Sequence, residues 1–319
     1  MTFRPAFSQG LLEIKRRTRR ARFLRGTYGE AETKIMSLSD KKKALSEILE
    51  CYRREPQITG RLLKNFPSLL SGVVFSQKSQ LLTASDQAAS NSVSSPESPN
   101  PLRDYFDAHR EGRGIWKWNH YFDIYERHFR KFVGREVHLM EVGIYSGGSL
   151  DMWKAYFGPQ CHVYGLDIEP ACKAYEGERV KILIGDQADR DFWKSLRQQV
   201  PRVDIMIDDG GHTPHQQLVT LEETLPHIAP GGVYLCEDIH GASNDFAAYV
   251  YGLASELNAM DSQPATETPI KQVVVKSEAF QSAVHSVHLY PYVTVVEKNA
   301  RAANELIAPK HGTEWQPFL

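Results

Sequence analysis

Val203-Asp-Ile-Met-Ile-Asp208-Asp209-Gly210-Gly211-His212-Thr213-Pro214-His215-Gln216 reads as a strand that ends in acid and passes through two glycines into a helix. Thr213 suits a helix N-cap, Pro214 the first helical position and Gln216 the return partner of a capping box, so a helix is predicted from 214. His212 then falls in the connecting loop, beside the open end of the strand. A second apolar run, Gly232 to Cys236, is followed by Glu237-Asp238. Strands joined by a right-handed helical crossover lie parallel and near each other, so Asp209 and the Glu237-Asp238 pair should open onto one crevice. Converging carboxylates repel unless a cation or a shared proton intervenes, and a hard oxygen set suits Mg²⁺. The plainer alternative is an Asx turn at Asp208-Asp209 and a helix-preparing pair at 237–238. His212 is the candidate general base, with His215 in the first helical turn as the other choice.

Outward from this stretch the chain alternates strand and helix. Strands are predicted over 137–142, 162–166, 180–184, 204–208 and 233–236. Helices are predicted over 149–157, 190–199, 214–228 and 244–257, with a short one near 170–175 and an aromatic-rich one over 118–132 ahead of the first strand. Residues 284–290 and 292–298, both alternating and β-branched, flank Pro291 and read as an antiparallel hairpin. The fold class is α/β: a doubly wound, mainly parallel seven-stranded sheet, Rossmann-like, with an antiparallel C-terminal hairpin.

The other strand ends carry their own chemistry. Glu141-Val-Gly143-Ile-Tyr145-Ser-Gly147-Gly-Ser149 turns from the first strand into a helix, where glycine lets the backbone approach a ligand and the helix N-terminus favours an anion. Tyr145 stands where a dinucleotide fingerprint has its second glycine, which disfavours a nicotinamide dinucleotide. The next strand ends at Asp167, placed to accept ribose hydroxyls, and the third in Asp186-Gln187, an acid and an amide able to read an adenine edge. Each signal alone is weak, and the succession of three is far more specific.

Composition bounds the rest. The 319 residues carry a formal net charge of −1, which excludes a general nucleic-acid partner. Four cysteines, Cys51, Cys161, Cys172 and Cys236, lack zinc or disulfide spacing and are expected to be buried thiols. No stretch reaches the length of a membrane span. Residues 1–39 form a basic extension whose first 25 residues hold eight Lys or Arg against the single acid Glu13, and read as disordered or as a transit segment. Residues 40–76 are expected to form a small helical region, two short helices broken near Pro56 and Pro67. Residues 77–100, rich in Ser, Gln, Ala and Asn, read as a low-complexity linker, so the main domain is 101–319.

Over about Trp116 to Lys298 these motifs resemble the class I S-adenosylmethionine-dependent methyltransferases. Within that class the chain looks most like the macrolide sugar O-methyltransferases of the mycinamicin and macrocin type, with cephalosporin-hydroxylase-like proteins as relatives. The resemblance implies a Rossmann-like methyltransferase fold, S-adenosylmethionine and Mg²⁺ as cofactors, and transfer of a methyl group to a hydroxyl of a small molecule, such as a sugar of a natural product. It implies Glu141, Gly143 and Gly147 at the methionine end of the cofactor, Asp167 at the ribose, and Asp186 and Gln187 at the adenine. Tyr145, Ser149 and Asp208 are counted with these cofactor residues. It makes Asp209, Glu237 and Asp238 the metal ligands and His212 the base. Residues 1–100 do not match the auxiliary region of the macrolide enzymes.

Two other readings stand beside this one: a hydroxylase-like oxidoreductase on the same fold, and a non-catalytic cofactor-binding module. The expected partner is a small-molecule hydroxyl acceptor, with neither nucleic acid nor membrane, and a homo-oligomer remains open. The acceptor pocket is expected between Met260–Gln272 and the stretch around Trp116–Tyr125, where Trp116, Trp118, Tyr121 and Phe122 could stack on a sugar or simply pack as core. A cytoplasmic location is expected, or an organelle if the basic N-terminus is a transit peptide.

Overall fold

The computed structural model describes residues 37–76, 99–241, 243–260 and 272–312. The chain divides into two units, residues 1–98 and 99–319. The basic extension up to residue 36, the stretch 77–98 read as a linker and residues 261–271 of the expected acceptor pocket lie outside the described residues.

In the first unit, α1 (Leu38–Arg54) starts at a capping box between Ser37 and Asp40, and α2 (Pro56–Ser76) follows after Glu55. The break expected at Pro56 is present, but the one expected at Pro67 is not. Pro67 sits inside α2, where apolar periodicity on either side carries the helix across the missing N–H. Neither helix buries a residue.

The second unit begins with α3 (Pro101–Ala108) and α4 (Tyr121–Phe129). The repeating units then run β1 (Val137–Val142), α5 (Gly148–Phe157), β2 (Cys161–Asp167), β3 (Val180–Ile184), α6 (Arg190–Gln199), β4 (Val203–Asp208), α7 (Pro214–Thr224), β5 (Ile228–Cys236) and α8 (Asp245–Leu257). A 3₁₀ turn over Pro170–Tyr175 joins β2 to β3. Last come β6 (Gln272–Lys276), α9 (Ala279–Ala283), β7 (Val284–Tyr290), β8 (Val293–Lys298) and β9 (Glu305–Pro309).

Seven strands form one sheet in the order β3-β2-β1-β4-β5-β8-β7. The first five pair in parallel, and β8 runs antiparallel to both β5 and β7, which makes it the one reversed strand. The doubly wound sheet and the terminal hairpin are thus as read from the sequence. A separate antiparallel pair, β6-β9, was not anticipated. The strand order reverses between β1 and β4, and in open α/β sheets the crevice beyond the C-terminal strand ends at such a point is where ligands bind.

Both faces of the sheet are covered. Leu139, Val163, Ile205, Ile207, Leu235 and Val295 pack on one face with Tyr125, Phe129, Trp153 and Phe157. Met140, Leu166, Met206, Tyr234 and Val296 pack on the other with Trp193, Leu196, Val219 and Phe246. The period-2 alternation of neighbours such as Leu139 and Met140 sorts them onto opposite faces. Each fully buried large side chain contributes roughly 1.5–3 kcal/mol, so these layers hold the strand tips in fixed register.

Three local expectations are corrected. The helix predicted over 214–228 ends at Thr224 and β5 starts at Ile228: Leu225 keeps helical backbone as the C-cap, but Pro226 has no N–H to carry the helical bonding further. The helix predicted from Trp118 starts at Tyr121, and residues 115–118 run as irregular backbone. Cys161, Cys172 and Cys236 are buried free thiols, but Cys51 is exposed on α1. Among the described residues no helix is long and apolar enough to cross a membrane.

Candidate active site

The tips of β1, β4 and β5 lie side by side: Val142 is in register with Asp208, and Asp208 with Cys236. The next residue on β4 is Asp209 and the next two on β5 are Glu237 and Asp238. Three of the acids named from the sequence therefore meet at the predicted crevice.

They do not face it equally. Glu237 is 1% exposed, its two oxygens lie 3.1 and 3.0 Å from the Lys117 ammonium, and Tyr125 donates to it at 2.6 Å. Asp209 Oδ2 accepts from Lys117 at 2.7 Å. Asp238 turns the other way, its Oδ1 accepting from Trp118 Nε1 at 3.0 Å and from the Tyr121 hydroxyl at 2.7 Å. Burial pushes the carboxyls of Asp209 and Glu237 above the usual carboxylate range, and the Lys117 charge opposes that shift. Burial works against the Lys117 ammonium, but Asp209, Glu237 and Glu141 together hold its pKa well above the ordinary lysine value.

His212 completes the open side of the cluster. Its Nε2 lies 3.9 Å from Asp209 Oδ1 and 3.7 Å from Asp238 Oδ2, while its buried Nδ1 has no hydrogen-bond partner. One ligand atom from each of Asp209, His212 and Asp238 falls within 4.8 Å of the others, the spacing of a metal's ligands. His212 and Asp238 both adopt left-handed backbone, at φ 59° and 54°, which non-glycine residues take only where their surroundings enforce it. The sequence set of Asp209, Glu237 and Asp238 is thus gathered, with His212 in place of Glu237 on the open side. His215, the other base candidate, is exposed on the first turn of α7, and the capping box of Thr213 and Gln216 starts that helix as read.

The cofactor residues sort into a rim and a layer behind it. Gly143 has φ +83°, and Tyr145, 61% exposed at φ 44°, donates its backbone N–H to Asp167 Oδ2 at 3.1 Å. Asp167 Oδ1 accepts from the Glu169 amide at 2.9 Å, and each oxygen keeps acceptor capacity for a hydroxyl. Asp186 is exposed at the β3 tip, with Oδ1 accepting from the Ala188 amide at 2.8 Å. Gly147 is buried in the turn at φ +76° against the Tyr175 ring.

Glu141, Ser149, Gln187 and Asp208 sit behind the rim, paired internally as buried polar groups must be. Ser149 donates to Glu141 at 2.7 Å. Gln187, expected at the adenine, is 5% exposed: it donates to Asp208 and to Thr220 at 3.0 Å each and accepts from the Gly211 amide at 2.7 Å. It braces the strand ends from inside, and Asp186 is the side chain its tip presents outward. Asp208 also accepts from the Gly210 amide at 3.3 Å, and burial pushes its carboxyl up to about 6.

Sequence reasoning missed Lys117 and Tyr125 as parts of the site, and offered Trp118 and Tyr121 as stacking or core residues and not as donors to Asp238. The one signal was a lysine set between Trp116 and Trp118 in a run otherwise readable as a core stripe.

A family model described as a methyltransferase domain matches residues 140–239, the span that holds the glycine turn, the three strand-end acids and the cluster. Over those residues the chain is similar to that family. It is 31% identical over 210 residues to the 8-demethyl-8-alpha-L-rhamnosyl tetracenomycin-C 2'-O-methyltransferase of Streptomyces olivaceus, covering 61% of this chain and 54% of that one. It is 38% identical over 133 residues to the demethylmacrocin O-methyltransferase of Streptomyces fradiae, covering 39% and 33%. A solved structure, the MycE methyltransferase of the mycinamycin pathway in complex with Mg, SAH and mycinamycin VI, matches with TM-score 0.50 and 25% identity, over 64% of this chain and 54% of that one. The chain thus spans about half or less of the length of these relatives.

Proposed function

We propose that this chain transfers a methyl group from S-adenosylmethionine to a sugar hydroxyl of a small natural product, with Mg²⁺ as cofactor. The observation that carries the reading is the Asp209, His212 and Asp238 cluster standing beside the Gly143 turn at the switch point of the sheet. The donor set fits the ion: carboxylate oxygens of Asp209 and Asp238 lie close together beside His212, with Asp238 and His212 on left-handed backbone. Asp209 and Asp238, with Glu237 behind them, would hold Mg²⁺, which when bound supplies Lewis acidity to an acceptor hydroxyl. The cradle fits the nucleoside: a glycine turn for the methionine end, Asp167 for the ribose and Asp186 near the base. S-adenosylmethionine brings a methyl group already activated on sulfonium.

What remains for the protein is alignment and a proton. His212 Nε2 is the ring nitrogen open to the cluster, and it takes the acceptor proton as the oxygen gains carbon. Asp209 and Asp238 flank that nitrogen and stabilise the imidazolium that results. Trp118 and Tyr121 fix Asp238 from the acceptor side, so the same residues that could stack on a sugar also set the carboxylate. Fixing two reactants in near-attack geometry can supply as much as roughly 7–11 kcal/mol. The tetracenomycin relative is named for 2'-O-methylation of a rhamnosyl compound, which favours a glycosylated acceptor. We assign the methyltransferase domain to residues 101–319, the helical region to 40–76 and the linker to 77–100.

The test is transfer of label from methyl-labelled S-adenosylmethionine to a panel of glycosylated natural products, with and without Mg²⁺. Label on a sugar oxygen that depends on Mg²⁺ supports the reading. An oxidised, unlabelled product would instead support the oxidoreductase alternative, and cofactor binding without turnover on any hydroxyl acceptor would support the non-catalytic one.

A further inference from the structure

Lys117 is a buried cation in contact with three carboxylates. Its Nζ lies 2.7 Å from Asp209 Oδ2, 3.0 Å from Glu237 Oε2 and 3.5 Å from Glu141 Oε1, and its side chain is 3% exposed. An ammonium loses several kcal/mol of hydration at such burial, which only well-placed anions offset. The backbone is shaped for this: residues 115–118 leave helical geometry, so Lys117 reaches Asp209 and Glu237 while its neighbour Trp118 reaches Asp238.

We propose that Lys117 is a positioning residue, an internal counter-cation that holds Asp209 in place and keeps the affinity of the acid site for a divalent ion low. The inference rests on the magnesium-dependent reading above. A positive charge about 3 Å from two of the acids opposes a second cation nearby, by Coulomb's law in a poorly solvated site. Lys117 also claims Asp209 Oδ2, so the carboxylate presents Oδ1 to the cluster with His212 and Asp238. Weak binding keeps the ion exchangeable, and a fixed Asp209 keeps the acceptor oxygen aligned. Removal of the ammonium therefore moves two quantities in opposite directions: the ion binds more tightly and turnover falls. General damage to the fold would weaken both.

The experiment measures Mn²⁺ binding to the full chain by calorimetry for wild type, Lys117→Met and Lys117→Gln, with melting curves and kcat alongside. The expected result is a Kd for Mn²⁺ lower by about tenfold in a folded variant, equivalent to about 1.4 kcal/mol, with reduced kcat. A folded variant whose Kd is unchanged or higher overturns the proposal. Lys117→Gln keeps a hydrogen-bond donor in the pocket should Lys117→Met not fold. Independently of either, the Lys117 side-chain ¹⁵N resonance of the wild-type protein is expected to shift on Mg²⁺ titration, and an unmoved resonance also overturns it. Wild-type protein that binds neither Mg²⁺ nor Mn²⁺ would instead sink the proposed function itself, whereas ordinary binding with unaltered Lys117 variants sinks only this inference.

Discussion

Gly143 and Asp209 meet so closely that a Cβ on the glycine would lie 2.0 Å from the carbonyl oxygen of Asp209. The β1 turn and the β4 tip are pressed into one another, and the Asp209 amide donates to Val142 O at 3.0 Å across the same seam. With φ at +83°, Gly143 also occupies backbone that L-residues avoid. Gly143→Ala is therefore expected to cost at least about 3 kcal/mol, read as a lowered melting temperature. It should weaken S-adenosylmethionine and Mg²⁺ together, since one displacement moves both walls of the crevice. A variant of wild-type stability and affinity for both ligands would contradict the seam.

His212 has a different signature. His212→Ala should lower kcat by roughly 10²- to 10⁴-fold while leaving S-adenosylmethionine affinity intact, because the imidazole is placed for proton transfer and not for the nucleoside. Asp209→Ala should remove turnover and the Mg²⁺ dependence at once. Paired turnover and calorimetric measurements decide both, and a normal kcat for His212→Ala would end its assignment as base.

Tyr125 donates to Glu237 at 2.6 Å inside the core, where the carboxylate is 1% exposed. A charge-assisted hydrogen bond at such a site contributes about 1.5–3 kcal/mol, so Tyr125→Phe should destabilise the fold by that order. Urea titration of the variant against wild type measures it.

Away from the crevice, the Glu297 carboxyl is lowered from 4.5 to about 2, first by its hydrogen bond with His128 and also by Lys131. A folded-state pKa below the unfolded value means stability that is present above pH 4.5 and lost as the pH falls towards about 2. Glu297→Gln should flatten that acid limb of the stability profile. Melting curves for the two proteins that fall in parallel from pH 6 to about 3 would count against it.

The fold was largely legible because hydrophobic periodicity and capping residues are local. Thr213, Pro214 and Gln216 announce their helix within four residues, and β1 and β3 begin and end where their apolar runs do. Pro226 could have warned that α7 stops early, yet the apolar positions on either side masked it. At the site, the acids at strand ends were readable because topology alone brings them together. What was not readable is where side chains turn after they arrive. Glu237 and Asp238 are adjacent in sequence but point to different partners, and the difference is set by Lys117, Tyr125, Trp118 and Tyr121, more than 110 residues upstream. Gln187 looked like a surface reader because its burial depends on Asp208, Gly211 and Thr220, none of them near it in sequence.

That same amide sets a limit on modularity. Because one Gln187 side chain fastens the β3 end to Asp208, to α7 through Thr220 and to the glycine loop that leads into His212, these pieces cannot be transplanted separately. A graft of the Gly210–His212 loop into another scaffold without a glutamine at the facing position would arrive with no anchor, so shuffling among homologous sheets should exchange the two strand ends as a single cassette.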